Sequence, residues 1–221
     1  MERTVETQKK RSMALEIWRR LRKNKMAMLG LVILVMLALT AIFADVIADY
    51  DTKVIAQDIK NRLQGPSMEH WCGTDEFGRD IFARLVHGSR VSLVVGLISV
   101  SISLLMGGAL GAIAGYYGGR VDNVIMRIMD IFLAVPSILL AMTIVAALGT
   151  SLINVMLAIG VSGIPGYARI VRASVMSIKD QEFVEASRAI GAKSPTTIFR
   201  EILPNCLAPI IVQATLSVAG A

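Results

Sequence analysis

The chain has 221 residues, 54% of them hydrophobic and 18% charged, with a mean hydropathy of +0.61. That balance is too apolar for an ordinary soluble domain, and six prolines without any low-complexity tract exclude a disordered or fibrous chain. The formal charge of +6 does not mark a nucleic-acid binder: nine Lys/Arg against three acids precede residue 26, a surplus equal to the whole net charge, and the rest of the chain balances.

Residues 1–25 form a basic flank directly ahead of an apolar run, the pattern that orients a membrane helix with its flank in the cytoplasm. Residues 26–44 are uncharged and long enough to cross a hydrocarbon core of about 30 Å, so they predict a first span; Ile42 stands where a signal-peptide cleavage site needs a small residue. Residues 45–90 hold eight acids, six Lys/Arg and both histidines, and alternation of sides places them outside. Within them, Thr74 or Asp75 is expected to cap a short helix running toward Arg90, and the alternating charges Asp75, Glu76, Arg79 and Asp80 read as a capping or solvated cluster, not a cation site.

Residues 91–221 are the expected transmembrane domain. Val91–Gly119 is a second span. Ile131–Ala168 has 38 uncharged residues, about 57 Å as one helix, and must therefore be two spans broken near Gly149, Thr150 and Ser151. Asp130 is expected to pair with Arg127 one turn earlier. Pro136 and Pro165 predict kinks in the third and fourth spans. Residues 169–205 are polar and fall on the cytoplasmic side, while residues 206–221 are apolar but too short for a crossing, so the chain is expected to stop within a fifth span. In the second span, Ser99, Ser103, Gly107, Gly111 and Gly115 recur every four residues as one ridge of small side chains, which fits close helix packing or a pathway lining.

Candidate chemistry is sparse. Cys72 and Cys206 make no disulfide framework, neither cysteines nor histidines form a metal-ligand set, and no phosphate-binding glycine loop is present, so no metal, cofactor or catalytic residue is expected. Gly160, Val161, Ser162 and Gly163 match the G-x-S-G of intramembrane serine proteases, but no histidine follows His87 to serve as the base.

The informative segment is residues 182–204. Glu182–Ile190 reads as a short helix with Phe183, Ala186 and Ile190 on one stripe. Gly191 suits a left-handed helix terminus, and Ser194 and Pro195 suit the start of a second helix to about Leu203. This segment resembles the E-A-A-x-x-x-G, I-x-x-x-x-L-P loop of bacterial ABC importer permeases through Glu185, Gly191, Leu203 and Pro204, with Ser187 in place of the second alanine. Residues 73–80 (GTDEFGRD), Arg90 to Leu93, Gly115 to Gly119, Pro136-Ser137 and Gly166 to Arg169 resemble the C-type subunit of the dipeptide, oligopeptide and nickel permeases.

The resemblance implies an all-α, polytopic type I importer permease of a bacterial cytoplasmic membrane, with one N-terminal span ahead of a five-helix core whose last span this sequence would lack. It also implies a sister permease, two cytoplasmic ABC ATPase subunits, an extracytoplasmic solute-binding protein and lipid as partners. ATP hydrolysis would lie in the ATPase subunits, which would dock on Phe183, Glu185, Ala186, Ile190, Gly191, Leu203 and Pro204. Dipeptides, oligopeptides, glutathione-like peptides and nickel chelates all fit as solutes. A membrane scaffold without transport is the alternative, and it gives no reason for the 182–204 double helix.

Overall fold

The computed structural model describes residues 13–220, and among these every regular element is helical. Residues 1–12 of the expected basic tail, and Ala221 of the last apolar segment, lie outside the described residues. The chain divides at Arg90/Val91 into two compact units.

In the first unit, α1 (Met13–Lys23) is followed by α2 (Lys25–Ile42). Asn24 separates them because its side-chain oxygen accepts the Met26 and Ala27 amides at 3.1 and 3.2 Å, satisfying donors that the first turn of α2 leaves open. α2 is apolar around its whole circumference and nearly all of it is exposed, which is the signature of a helix surrounded by lipid.

Residues 45–80 form a built scaffold. The Thr74 hydroxyl donates to the Asn61 carbonyl at 2.5 Å and accepts the Gln64 amide at 2.9 Å. Asp75 accepts the Phe77 and Arg79 amides at 2.9 and 3.0 Å and binds the guanidinium groups of Arg79 and Arg84 at 2.8 and 2.5 Å. Burial pushes the Asp75 carboxyl up, but the Arg79 and Phe77 amides and the Arg79 guanidinium outweigh it and hold it at about 2. Gly78 has φ +76°, and a Cβ there would overlap the Asp58 carbonyl. The residues of GTDEFGRD are thus each tied to a local hydrogen bond or turn.

α3 (Ile81–Tyr117) begins ahead of the expected Val91, and its cap is Asp80, not Thr74 or Asp75: the Asp80 carboxylate accepts the Ala83 amide at 3.0 Å and pairs with His70 at 2.9 Å. The short helix expected to run toward Arg90 is continuous with the span, because the polar side chains of residues 81–90 are individually satisfied. Arg84 meets Asp75, His87 Nε2 donates to the Ala48 carbonyl at 2.7 Å, and Arg90 meets Asp45 at 3.0 Å. At 37 residues, α3 is about 55 Å long and extends well beyond a hydrocarbon core.

In the second unit, α3 leads to α4 (Gly119–Leu133), α5 (Ser137–Leu148), α6 (Leu152–Ile178), α7 (Glu182–Ala189), α8 (Ser194–Asn205) and α9 (Leu207–Gly220). The ridge of α3 lies on α6 in constant register. Ser99 donates to the Met156 carbonyl at 3.0 Å and Ser103 to the Gly160 carbonyl at 2.6 Å, each 57 residues away. Gly107, Gly111 and Gly115 face the carbonyls of Ile164, Ala168 and Arg172 so closely that any Cβ would collide. A rising register on both helices means they run parallel, so α4 and α5 together make one return crossing between them.

That return is broken where a kink was expected. α4 and α5 meet at 83° because Pro136 cannot donate to the Phe132 carbonyl and forces Val135 before it away from helical geometry. Pro165 lies buried inside α6, which continues through it. Three described helices are long and apolar enough to cross a membrane, and five crossings result if each bent pair, α4 with α5 and α8 with α9, is one span. Asp130 pairs with Arg169 of α6 at 2.6 Å, not with Arg127, and Asp122 accepts from Arg172 Nε and, at 2.6 Å, from its Nη2. Helical spacing alone placed Asp130 beside Arg127; the packing of α4 on α6 supplies the partner instead.

Replacing Gly111 by Leu drives a side chain into the Ala168 carbonyl and should destabilise the chain by about 1–3 kcal/mol. Thermal unfolding in detergent reads this as a lowered Tm. The control Gly108→Ala, whose Cβ makes only an ordinary 3.9 Å contact with Leu104, should leave Tm unchanged.

Candidate functional site

The C-terminal ends of α3 and α6, being parallel, emerge together, and the α7–α8 hairpin is mounted on them. α7 ends in a hydrogen-bonded reversal: the Gly191 amide donates to the Arg188 carbonyl at 2.9 Å and the Ala192 amide to the Ser187 carbonyl at 3.1 Å, with Gly191 at φ +83°. No atom would obstruct a Cβ at Gly191, so the demand for glycine there is purely one of backbone conformation.

α8 starts after Lys193, and Ser194 lies within its first turn, with Pro195 beside it, where the sequence suggested Ser194 as the cap. Its middle, Thr197–Ile202, widens into a π-type turn in which the Leu203 amide reaches back to the Ile198 carbonyl. Pro204 explains the widening, since it has no amide for the Arg200 carbonyl and its ring crowds that carbonyl. Pro209 likewise leaves the Asn205 carbonyl without an amide, and α8 and α9 bend by 68° between the two prolines.

One apolar cluster anchors the hairpin. Val184 of α7 and Ile198, Ile202 and Cys206 from α8 and its end are buried with Val171 and Val175 of α6 and Ala112 of α3. On the α3 side, the Arg188 guanidinium lies over the Tyr116 ring at 5.0 Å, and the Tyr116 hydroxyl is surrounded by Ser194, Arg188 and Thr197.

The opposite face is open. Phe183, Glu185, Ala186, Ile190 and Gly191 are all exposed, Ile190 by 87%, and Phe199 of α8 adds a further exposed ring. Of the remaining two residues singled out by motif, Pro204 is exposed, whereas Leu203 turns inward and packs on the buried cluster. The face therefore presents apolar side chains beside the carboxylates Glu182 and Glu185 at the start of α7, where the helix dipole favours them. Such a face can bind a protein groove but has no groups arranged for bond-making chemistry. Ser162 of the G-x-S-G motif spends its hydroxyl on the Ile159 carbonyl at 2.9 Å.

Motif reading missed Val184, Phe199 and Tyr116. Val184 sits between Phe183 and Glu185 on a helix too short for periodicity to reveal which side is buried, and Tyr116 is far away in sequence.

With this geometry in place, similarity to known proteins assigns the family. Residues 107–221 match the model of the binding-protein-dependent transport system inner membrane component, and residues 12–66 match the N-terminal TM domain of oligopeptide transport permease C. The chain belongs to this family of inner-membrane, multi-pass transport components.

It is 52% identical over 201 residues to the dipeptide transport system permease protein DppC of Alkalihalophilus pseudofirmus, covering 91% of this chain and 66% of that protein. Over 212 residues it is 41% identical to the oligopeptide transport system permease protein OppC of Bacillus subtilis, covering 94% and 69%. It is also 42% identical over 203 residues to the glutathione transport system permease protein GsiD of Escherichia coli O6:K15:H31, covering 92% and 67%. The chain spans about two thirds of the length of these curated relatives.

Val184→Asp places a carboxylate in the sealed cluster and should free the hairpin from α6. Limited proteolysis in detergent is expected to cut at Lys193 faster in this variant, while Phe183→Asp, on the open face, leaves the cleavage rate as it was.

Proposed function

We propose that this chain is a membrane-spanning subunit of an ATP-driven importer of small peptides or related solutes. In this reading it forms half of the translocation pathway beside a sister permease and receives solute from an extracytoplasmic solute-binding protein. Two cytoplasmic ABC ATPase subunits drive the cycle, one of them seated on the α7–α8 hairpin.

The observation that carries the reading is the two-sided construction of that hairpin: Val184, Ile198 and Ile202 lock it to α6, and Phe183, Glu185, Ala186 and Ile190 face outward. A partner gripping the outer face moves α6 through the buried cluster and α3 through the Arg188–Tyr116 contact. ATP-driven closure of the ATPase pair thereby becomes a tilt of the parallel α3–α6 pair, the lever needed to alternate access. No covalent chemistry is asked of this chain. The transport names of its relatives support peptides as the solute class.

Gly191→Val forces a β-branched residue into a left-handed conformation at a cost of about 1–2 kcal/mol and should disturb the hairpin without touching the spans. Membrane insertion is expected to persist while ATPase co-purification from detergent weakens and peptide uptake is lost, with Glu185→Ala producing a milder version. Normal co-purification and uptake in Gly191→Val would make the hairpin a mere connector.

The basic residues before α2 support the reading that the N-terminus is cytoplasmic and residues 45–80 external. An impermeant maleimide added to intact spheroplasts is expected to label exposed Cys72 and to spare Cys206, which is buried. Labelling of Cys72 only after the membrane is opened would reverse this orientation.

A further inference from the structure

The C-terminal part of α1 carries three exposed cations, Arg19, Arg22 and Lys23, that have no ion-pair partner among the described residues. Together with Trp18 they line one groove of about 490 Å³. The grouping follows from helix pitch, because residues 18 and 22, and likewise 19 and 23, are about one turn apart and stand on the same side. No Asp or Glu occurs from Ile17 to Ala44, so neither this end of α1 nor the span after it supplies a counter-charge. Like charges at such spacing repel one another, and an anion seated among them removes the repulsion.

Their place along the chain fixes their depth. Only Asn24 and Lys25 separate Lys23 from Met26, where the apolar run of α2 begins, and three steps of chain reach about 10 Å at most. The groove is therefore held at the level of the lipid headgroups. Trp18 fits this depth: its ring is 51% exposed, and an indole with an apolar body and one N–H suits the boundary between water and hydrocarbon. A soluble phosphate would use the cations but would give the exposed indole nothing to rest on.

We propose that this groove binds the headgroup of an anionic phospholipid, with the phosphate among Arg19, Arg22 and Lys23 and the Trp18 ring against the glycerol and upper acyl chain. Each guanidinium offers a planar fork of N–H donors that matches phosphate oxygens in pairs, and Lys23 adds a point charge. A zwitterionic lipid brings its own ammonium group beside the phosphate, which these cations repel. The contact pins the start of α2 at a fixed depth and makes its seating depend on the charge of the surrounding lipid. The inference is independent of the importer reading, since it needs only α2 in a membrane.

Trp18 is its own reporter once Trp71, the other tryptophan of the chain, is replaced by Phe. The full chain carrying Trp71→Phe is reconstituted in vesicles with equal amounts of phosphatidylcholine and phosphatidylglycerol, one or the other brominated near the glycerol end of its acyl chains. Bromine quenches tryptophan only on contact. Brominated phosphatidylglycerol is expected to quench Trp18 with an association constant about 3- to 10-fold above that of brominated phosphatidylcholine, and raising the salt from about 0.1 M to about 0.5 M should shrink the difference. Combining Arg19→Gln, Arg22→Gln and Lys23→Gln should bring the two lipids level, with helix content by circular dichroism unchanged. The control combining Lys53→Gln, Lys60→Gln and Arg62→Gln removes the same charge from exposed positions in residues 45–80 and should keep the preference.

Equal quenching by the two lipids in the Trp71→Phe chain, or a preference that survives the three glutamines in α1, would overturn the assignment. Loss of the preference in the control would do so too, by making net charge rather than the groove its cause. Inorganic phosphate should displace the lipid no better than chloride of equal ionic strength; better displacement would reassign the groove to a soluble anion.

Discussion

The close approach of α3 and α6 is the constraint on which the second unit depends. In lipid, apolar side chains gain nothing by leaving one hydrocarbon environment for another, so helices associate through surface fit and a few hydrogen bonds. A ridge of two serines and three glycines supplies both. The serines donate to carbonyls of α6, and the glycines let the two backbones come within a distance that a single methyl group would forbid. From that contact follow the parallel direction of the two helices, the single return crossing by α4 and α5, and the emergence of both C-terminal ends at one place.

In the proposed function, the hairpin is where this rigidity becomes useful. Its inner face is part of the same packed body as α6, held by Val184, Ile198, Ile202 and Cys206, and its outer face carries exposed rings and carboxylates. Two Asp–Arg pairs brace α4 against α6 in the same region, Asp122 with Arg172 and Asp130 with Arg169. A load applied to the outer face reaches two spans without an intervening flexible joint. The scaffold of residues 45–80 follows a different logic, with little apolar core and dense capping, in which Asp75 and Asp80 each bind backbone amides and a neighbouring side chain, Arg79 and His70 respectively.

Much of this was legible in one dimension. A 38-residue uncharged run cannot be one crossing, a serine–glycine ridge at intervals of four fits close packing against another helix, and the stripe Phe183, Ala186 and Ile190 followed by Gly191 and Ser194-Pro195 announces a hairpin. These readings work because membrane thickness, helix pitch and the steric freedom of glycine are local or global constants that need no knowledge of neighbours. Where a reading depended on a neighbour it went astray: the start of α3, the cap at Asp80 and the partner of Asp130 were all assigned to residues close in sequence.

Sequence by itself determined that the chain is an all-helical membrane protein with a small-residue packing ridge and a two-helix hairpin, because those properties are written in hydropathy, periodicity and a few obligatory glycines and prolines. Tertiary structure alone decided which helix the ridge meets and in what direction, that Pro136 breaks its span at 83°, and that Leu203 turns inward while Ile190 faces out. Each of these is a relation between residues far apart along the chain, and a side chain's burial or hydrogen bonding is set by the surface that arrives opposite it rather than by its own identity.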